Sequence, residues 1–532
     1  MLARAIALHQ RGQLNEAGAL YAEILNAEPT NPDALHRFGV LHVNVGRAEQ
    51  AVGLIGEALQ HQPANPAYLC DFGNALFAAG RHEDAMQTYH RALELAPAFA
   101  DARFNLGNAL HGLARHEEAI DCYRLVLEAD PNNLSALTNL GLVSQIVGHA
   151  EEARAAMEAA LKLAPRDPTL NFNHGIVLQG QGCLDEAEAA YKTALAADPK
   201  MVAAHVNIGN VNLDRERFAE AAAAFEQAIA LDPNLALAHA NLGSALDALE
   251  RVKEATAATR RALKIDPDNI IALGNLGQAL QEAGQPAEAV KAFQRLLAVE
   301  PGHVNTLAYL AIALQEAGRG EEAAEIFDFA SLPEARPISQ VEGYDDIGAF
   351  NLALKDYILN HPTLVWDRPA KSTTKGSQTL ELLTGENPVA KTLERVIKEN
   401  VADYIATKLK IAGSRYKGRK PVNWRLMSWA VVLKSGGHQS PHNHPMGVVS
   451  GVYYLNIPEC VGRDNDGLAG CLRFGQSNLR IRGKRDQSDF HTETIAPREG
   501  VMVLFPSYFW HHTIPFDSED YRICVAFDAI PT

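Results

Sequence analysis

Cysteine is scarce in this chain, six residues in 532, and no two of them form a CxxC pair. That excludes a thiolate zinc ribbon and gives no disulfide framework. Cys460 and Cys471 flank one loop and read as free thiols, or as a single bridge if they meet. Positive charge is also short, with 48 Lys and Arg against 64 Asp and Glu and a net charge of −16. No cationic field is available to neutralise phosphates, so nucleic acid is excluded and a basic or neutral partner is favoured. Long apolar runs are missing too. The stretch MLARAIALHQRGQLNEAG enters an amphipathic helical pattern with nothing of signal-peptide or membrane-spanning length. The expectation is a cytoplasmic protein with no membrane partner. The tract WDRPAKSTTKGSQT lacks the glycine spacing of a phosphate loop.

What is present is a period. Prolines stand at 29, 63, 97, 131, 165, 199, 233, 267 and 301, each 34 residues after the last. Alanine recurs from Ala17 to Ala323 and glycine from Gly39 to Gly277 at the same interval, and a ring marks Tyr21, Tyr89, Tyr123, Tyr191, Phe225, Phe293 and Phe327. Small residues let two helices approach, the ring fills the space beside them, and the proline restarts the chain for the next pair. Thr259 replaces the ring in one unit. The pattern resembles the tetratricopeptide repeat over residues 1–330, which implies an all-α superhelix whose concave face binds protein or peptide.

Two residues before successive register glycines stand Asp71, Asn105, Asn139, Asn173, Asn207, Asn241 and Asn275. Asparagine is a poor residue for a helix interior, so its recurrence needs a cause. Hydrogen bonding between neighbouring repeats is one; a ladder of amides that holds the backbone of an extended peptide is the other. The run resembles the asparagine ladder of protein O-GlcNAc transferases, although the C-terminal part resembles no glycosyltransferase. That resemblance implies a peptide groove and nothing about the chemistry.

The period ends after Phe327, and SLPEARPIS reads as a boundary, dividing the chain into 1–330 and 331–532. Residues 345–360 and 386–410 read as helices, and 362–385 as a loop or lid. From Trp424 the composition turns to short strands, WRLMSWAVVL, VVSGVYYLNI, CLRFG, VMVLFP and YRICVAFDAI. They predict an all-β barrel or jelly roll beside the two helices, and so an α+β multidomain chain.

Histidines border these strands at 438, 442, 444, 511 and 512. In an extended segment His442 and His444 share a face, with His438 of the same parity beyond a turn. His511 and His512 point oppositely, so one of them joins the pair. Two local imidazoles and a distant one suit Fe, Zn, Cu or Ni; a surface turn with scattered imidazoles is the alternative.

HNHPMGVVSGVYYLNIP, PREGVMVLFPSYFWHHTIPF and YRICVAFD resemble bacterial 2-oxoglutarate and Fe(II)-dependent oxygenases, some of which are fused to tetratricopeptide repeats. The resemblance implies a double-stranded β-helix and a dioxygenase that uses 2-oxoglutarate and O2 to hydroxylate a substrate. It implies metal ligands at His442 and His511, a carboxylate-binding Arg522, and Tyr454 beside it. It also exposes a departure: the usual His-x-Asp/Glu…His triad has His444 where the carboxylate belongs. A three-histidine dioxygenase without 2-oxoglutarate, a zinc site, and a non-catalytic scaffold therefore stay open. So do a carboxylate supplied by Glu459, Asp464 or Asp466 and a replacement of His511 by His512.

Overall fold

The computed structural model describes residues 1–366, 372–410, 416–418, 423–463, 467–477 and 490–532. They form two compact units, Met1–Pro233 and Asn234–Thr532.

The first unit is fourteen helices in antiparallel pairs, from Leu2–Gln10 to Phe218–Leu231. The small-and-ring register explains their closeness. A Cβ added at Gly73 would sit 2.5 Å from the Tyr89 ring, and one at Gly107 2.6 Å from Tyr123. Both rings are buried in return. Ile55 and Met157 take the ring position over Gly39 and Gly141, so the register needs bulk there rather than aromaticity. The turn prolines lead into caps: after Pro29, the Asn31 side chain accepts the Ala34 N–H at 3.0 Å and opens the helix Pro32–Asn44. Asn65, Asn133 and Asp167 repeat the device, each worth about 1 kcal/mol.

The second unit opens with six helices of the same kind, from Ala236–Ala248 to Gly320–Ile326. Thr259 packs over Gly243 there, and Asn269 is again an N-cap. Among the described residues ten strands follow: β1 (Glu334–Pro337), β2 (Val365–Trp366), β3 (Thr373–Gln378), β4 (Trp424–Gln439), β5 (Val449–Asn456), β6 (Leu472–Phe474), β7 (Glu493–Ile495), β8 (Val501–Pro506), β9 (His511–Thr513) and β10 (Arg522–Pro531). The major sheet runs β1-β8-β5-β10-β4-β3-β2 and the minor sheet β7-β6-β9, all pairs antiparallel. They face one another, with Phe474 of β6 edge-on to Phe505 of β8 at 5.0 Å.

β5 is buried at seven of its eight positions because both faces are covered. On the outside the helix Ile347–Leu359 lies against it, and the Tyr453 hydroxyl donates to Asn351 Oδ1 at 2.6 Å. The helix Pro388–Tyr404 continues as one π turn, Ile405–Leu409. A single apolar core joins Leu307, Ala308 and Ala311 of the repeat helix Val304–Glu316 to the strands. No described helix is long and apolar enough to cross a membrane.

SLPEARPIS, read as a boundary, also carries a strand: Glu334–Pro337 pairs with β8 at the sheet edge, where proline's missing N–H does no harm. One sequence expectation is corrected. The 362–385 loop contains β2 and β3, with residues 367–371 of it outside the described set. Its strand character was masked because TTKGSQ is polar and bends through a bulge where Lys375 has φ 50°.

Candidate metal centre

Strand alternation assembles the site. Arg522, Cys524, Ala526 and Asp528 alternate along β10 and border the interior, facing Tyr454, Val452 and Ser450 in register on β5. The segment after β4 then carries His442 and His444 under them, and β9 closes the space with His511. His442 and His511 exchange both backbone hydrogen bonds, at 3.0 and 2.9 Å, which fixes two rings relative to each other.

His442, His444 and His511 each offer a ligand nitrogen within 4.8 Å of the others. In all three the Nδ1 is engaged. His442 Nδ1 bonds the Ser440 carbonyl at 2.7 Å, His511 Nδ1 the Phe509 carbonyl at 3.0 Å, and His444 Nδ1 the Asp528 carboxylate at 2.7 Å. A nitrogen facing a carbonyl or carboxylate must carry the proton, so each Nε2 keeps its lone pair for a metal. Trp429 stacks on His444 at 5.5 Å and Phe505 stands edge-on to His511 at 4.8 Å, locking the ring planes. Burial first, and the neighbouring imidazoles second, hold the His442 pKa down at about 3 and that of His511 well below its ordinary value. Neutral imidazoles are what a cation requires.

Arg522 lies deep in the same cavity, 1 % exposed, and forms no ion pair with a described residue. Its guanidinium is 5.1 Å from the Tyr454 ring, and burial raises the pKa of the Tyr454 hydroxyl. His444 Nε2, Arg522 Nε and Tyr454 OH are all buried without a hydrogen-bond partner. Native interiors seldom leave such atoms unsatisfied, and an isolated buried charge costs several kcal/mol. A metal against the imidazoles and a carboxylate against Arg522 and Tyr454 would satisfy all three, so the residues fit both groups.

Other expected residues fall elsewhere. His438 pairs with Thr374 inside β4 and bonds the Gly436 carbonyl, outside the cluster. His512 faces away beside Arg473, its pKa lowered to about 4 by burial and by that guanidinium. Glu459 is not among the clustered ligands, and Asp464 and Asp466 lie outside the described residues. Val452 and Phe505 line the cavity. Asp528 was missed in the sequence, where it reads as the end of an apolar strand. The signal was parity: six residues from Arg522 on one strand, it shares Arg522's face.

A second cavity of about 490 Å³ opens on His442 and His444, flanked by Trp429, Glu381 and the exposed Met446. The repeat helix Val304–Glu316 touches both ligand segments. Asn443, between the two histidines, donates to Asn305 Oδ1 at 3.0 Å, and Trp510, next to His511, donates to the Ala308 carbonyl at 3.3 Å.

Five ladder residues bond between repeats. Asn105 Nδ2 donates to Asn74 and Asn139 Nδ2 to Asn108, each at 2.8 Å, while Asp71 pairs with His36 at 2.8 Å. Asn207 donates to the Tyr191 hydroxyl at 3.3 Å and Asn275 to Ser244 at 2.8 Å. Asn173 is half-buried and Asn241 buried. Asn275 also donates to the Ala240 carbonyl at 3.1 Å, so both of its N–H groups are engaged between repeats.

Known families match two kinds of segment in the chain. A family described as "Putative 2OG-Fe(II) oxygenase" matches residues 427–528. Tetratricopeptide-repeat models match 8–69, 73–113, 100–133, stretches from 147 to 270, 258–291 and 280–337. Similar solved structures include YrrB, a repeat protein described as having an unusual peptide-binding site, at 26% identity over 35% of this chain and 95% of that one, TM-score 0.30. A tetratricopeptide repeat protein from Parabacteroides merdae is 18% identical over 47% and 98%, TM-score 0.40, and MamA from Desulfovibrio magneticus is 20% identical over 32% and 96%, TM-score 0.31. No curated protein matches the chain.

Proposed function

We propose that this chain, a tetratricopeptide-repeat protein carrying a 2OG-Fe(II) oxygenase domain, is a 2-oxoglutarate- and Fe(II)-dependent dioxygenase that hydroxylates a protein, peptide or carrier-bound substrate. The observation that carries this reading is the buried Arg522, without an acidic partner among the described residues, in one cavity with three converging imidazoles.

His442, His444 and His511 would hold the metal from one side and leave positions open. Iron(II) bound with 2-oxoglutarate and O2 supplies C–H hydroxylation coupled to release of succinate and carbon dioxide. Arg522 binds the distal carboxylate through parallel N–H donors, which selects a diacid and sets its direction, and the Tyr454 hydroxyl adds a further donor. Val452 and Phe505 exclude water from the cavity. The cleft beside Trp429 and Met446 gives the substrate access to His442 and His444. In this reading residues 1–330 recruit, with the register residues Asp71, Asn105, Asn139, Asn173, Asn207, Asn241 and Asn275 as the peptide contacts, and residues 331–532 perform the chemistry.

A metal-binding domain without oxoglutarate chemistry, carried on a repeat scaffold, is the second reading, and the third imidazole at His444 is what favours it. Substitution separates the two. Arg522→Ala is expected to weaken 2-oxoglutarate binding at least tenfold, the loss of one charge-assisted pair, with metal content unchanged. Unaltered 2-oxoglutarate affinity contradicts the dioxygenase reading.

A further inference from the structure

Each imidazole of the cluster has an Nδ1 partner, but only one partner is an anion. His442 and His511 bond backbone carbonyls two residues before them, a local and neutral arrangement. His444 bonds a carboxylate 84 residues away, Asp528 Oδ2 at 2.7 Å. We propose that Asp528 is the carboxylate of this metal centre, a positioning residue that acts on the metal through His444 rather than by ligating it. The proposal rests on the metal-binding part of the function proposed above and not on oxoglutarate chemistry.

The surroundings of Asp528 are built to hold it there. Its other oxygen accepts from Ser450 Oγ at 2.6 Å, and Ser450 Oγ is 2.8 Å from Ser507 Oγ. Ser507 in turn accepts the His444 backbone N–H at 3.0 Å through its carbonyl. Asp528 and Ser450 are direct partners in the β5–β10 register. His444 is therefore fixed at ring and backbone by one closed network, with Trp429 stacked on its face.

The charge itself is the second observation. Asp528 is 3 % exposed, and among the described residues its one ionic partner is His444, with no Lys or Arg beside it. Burying a carboxylate costs several kcal/mol unless a cation answers it. A metal on the far side of the ring answers it: the Nδ1–H to carboxylate bond fixes the tautomer that presents Nε2 and makes that nitrogen a stronger donor. The chain thus keeps the acid of a His-x-Asp/Glu site but moves it one ring outward. Glu459, Asp464 and Asp466 are not needed to supply it.

The test is a titration of the full-length protein with Co(II), a spectroscopically visible probe. Asp528→Asn preserves shape and an accepting oxygen while removing the charge. It is expected to bind Co(II) roughly 10- to 100-fold more weakly than wild type, the usual loss for such a partner, with altered visible absorption, while Arg522→Ala binds as wild type does. A folded Asp528→Asn protein with wild-type Co(II) affinity and spectrum overturns the proposal. If that variant does not fold, Ser450→Ala decides: weaker binding with a shifted spectrum supports it, and unchanged values overturn it. Wild-type protein that takes up no Co(II) defeats the metal reading itself, whereas failure to turn over 2-oxoglutarate leaves this titration unaffected.

Discussion

At the residue scale, the centre is defined by what its side chains do with their second nitrogen or oxygen. Three imidazoles spend Nδ1 on acceptors and keep Nε2, and Arg522 and Tyr454 remain buried with donors unspent. Burial has a consequence for stability that can be measured without metal. His442 titrates near 3 and His512 near 4 in the folded chain, both below the ordinary 6.5. As pH falls through 6.5 the unfolded chain therefore takes up protons that the folded chain refuses, and stability that is complete above 6.5 is lost toward pH 4. The melting temperature of the metal-free protein is expected to be lower at pH 5 than at pH 7; a flat profile contradicts the assignment. The residue types of this site were legible in the sequence, since HNHP, HHTIP and Arg522 are unusual among apolar strands. Asp528 was not, because its partner Ser450 comes from another strand and only the register brings them together.

At the element scale, the repeat pairs depend on a close approach and the sheets on alternation. Gly107→Ala places a methyl 2.6 Å from the Tyr123 ring, so overpacking should outweigh any gain in helix propensity and cost about 1–3 kcal/mol. Gly112→Ala, in the same helix but 3.6 Å from its nearest neighbour, is expected to be neutral or stabilising. Chemical denaturation of the two variants checks this, and equal effects count against the packing explanation. The 34-residue period revealed such contacts because one spacing repeats many times. β1 and β3 escaped notice for opposite reasons: Pro337 disguises an edge strand, and the polar TTKGSQ disguises one that pairs with β4.

At the scale of the whole molecule, the change from helix to strand near residue 330 marks the proposed change of role, while the core of the second unit runs across it. Phe293, Leu307 and Ala308 belong to the same apolar cluster as Phe509 and Trp510, and Asn305 and Ala308 hold the residues flanking the metal ligands. A fragment of residues 331–532 is therefore expected to be unfolded or aggregated, and one that begins at Asn234 to fold and bind metal. Equal metal binding by the two fragments would mean that the repeat helices contribute nothing to the site. No spacing in the sequence could show this junction, because Asn305 and Asn443 are 138 residues apart and neither is unusual for its element.

If a buried arginine and three histidines form one oxoglutarate-dependent centre, the full-length, iron-loaded protein must release succinate. With 2-oxoglutarate and O2 we expect succinate from the wild type, slowly even without substrate, and its loss in Arg522→Ala at unchanged iron content. Iron-loaded wild-type protein that makes no succinate, alone or with a panel of peptides, would contradict it.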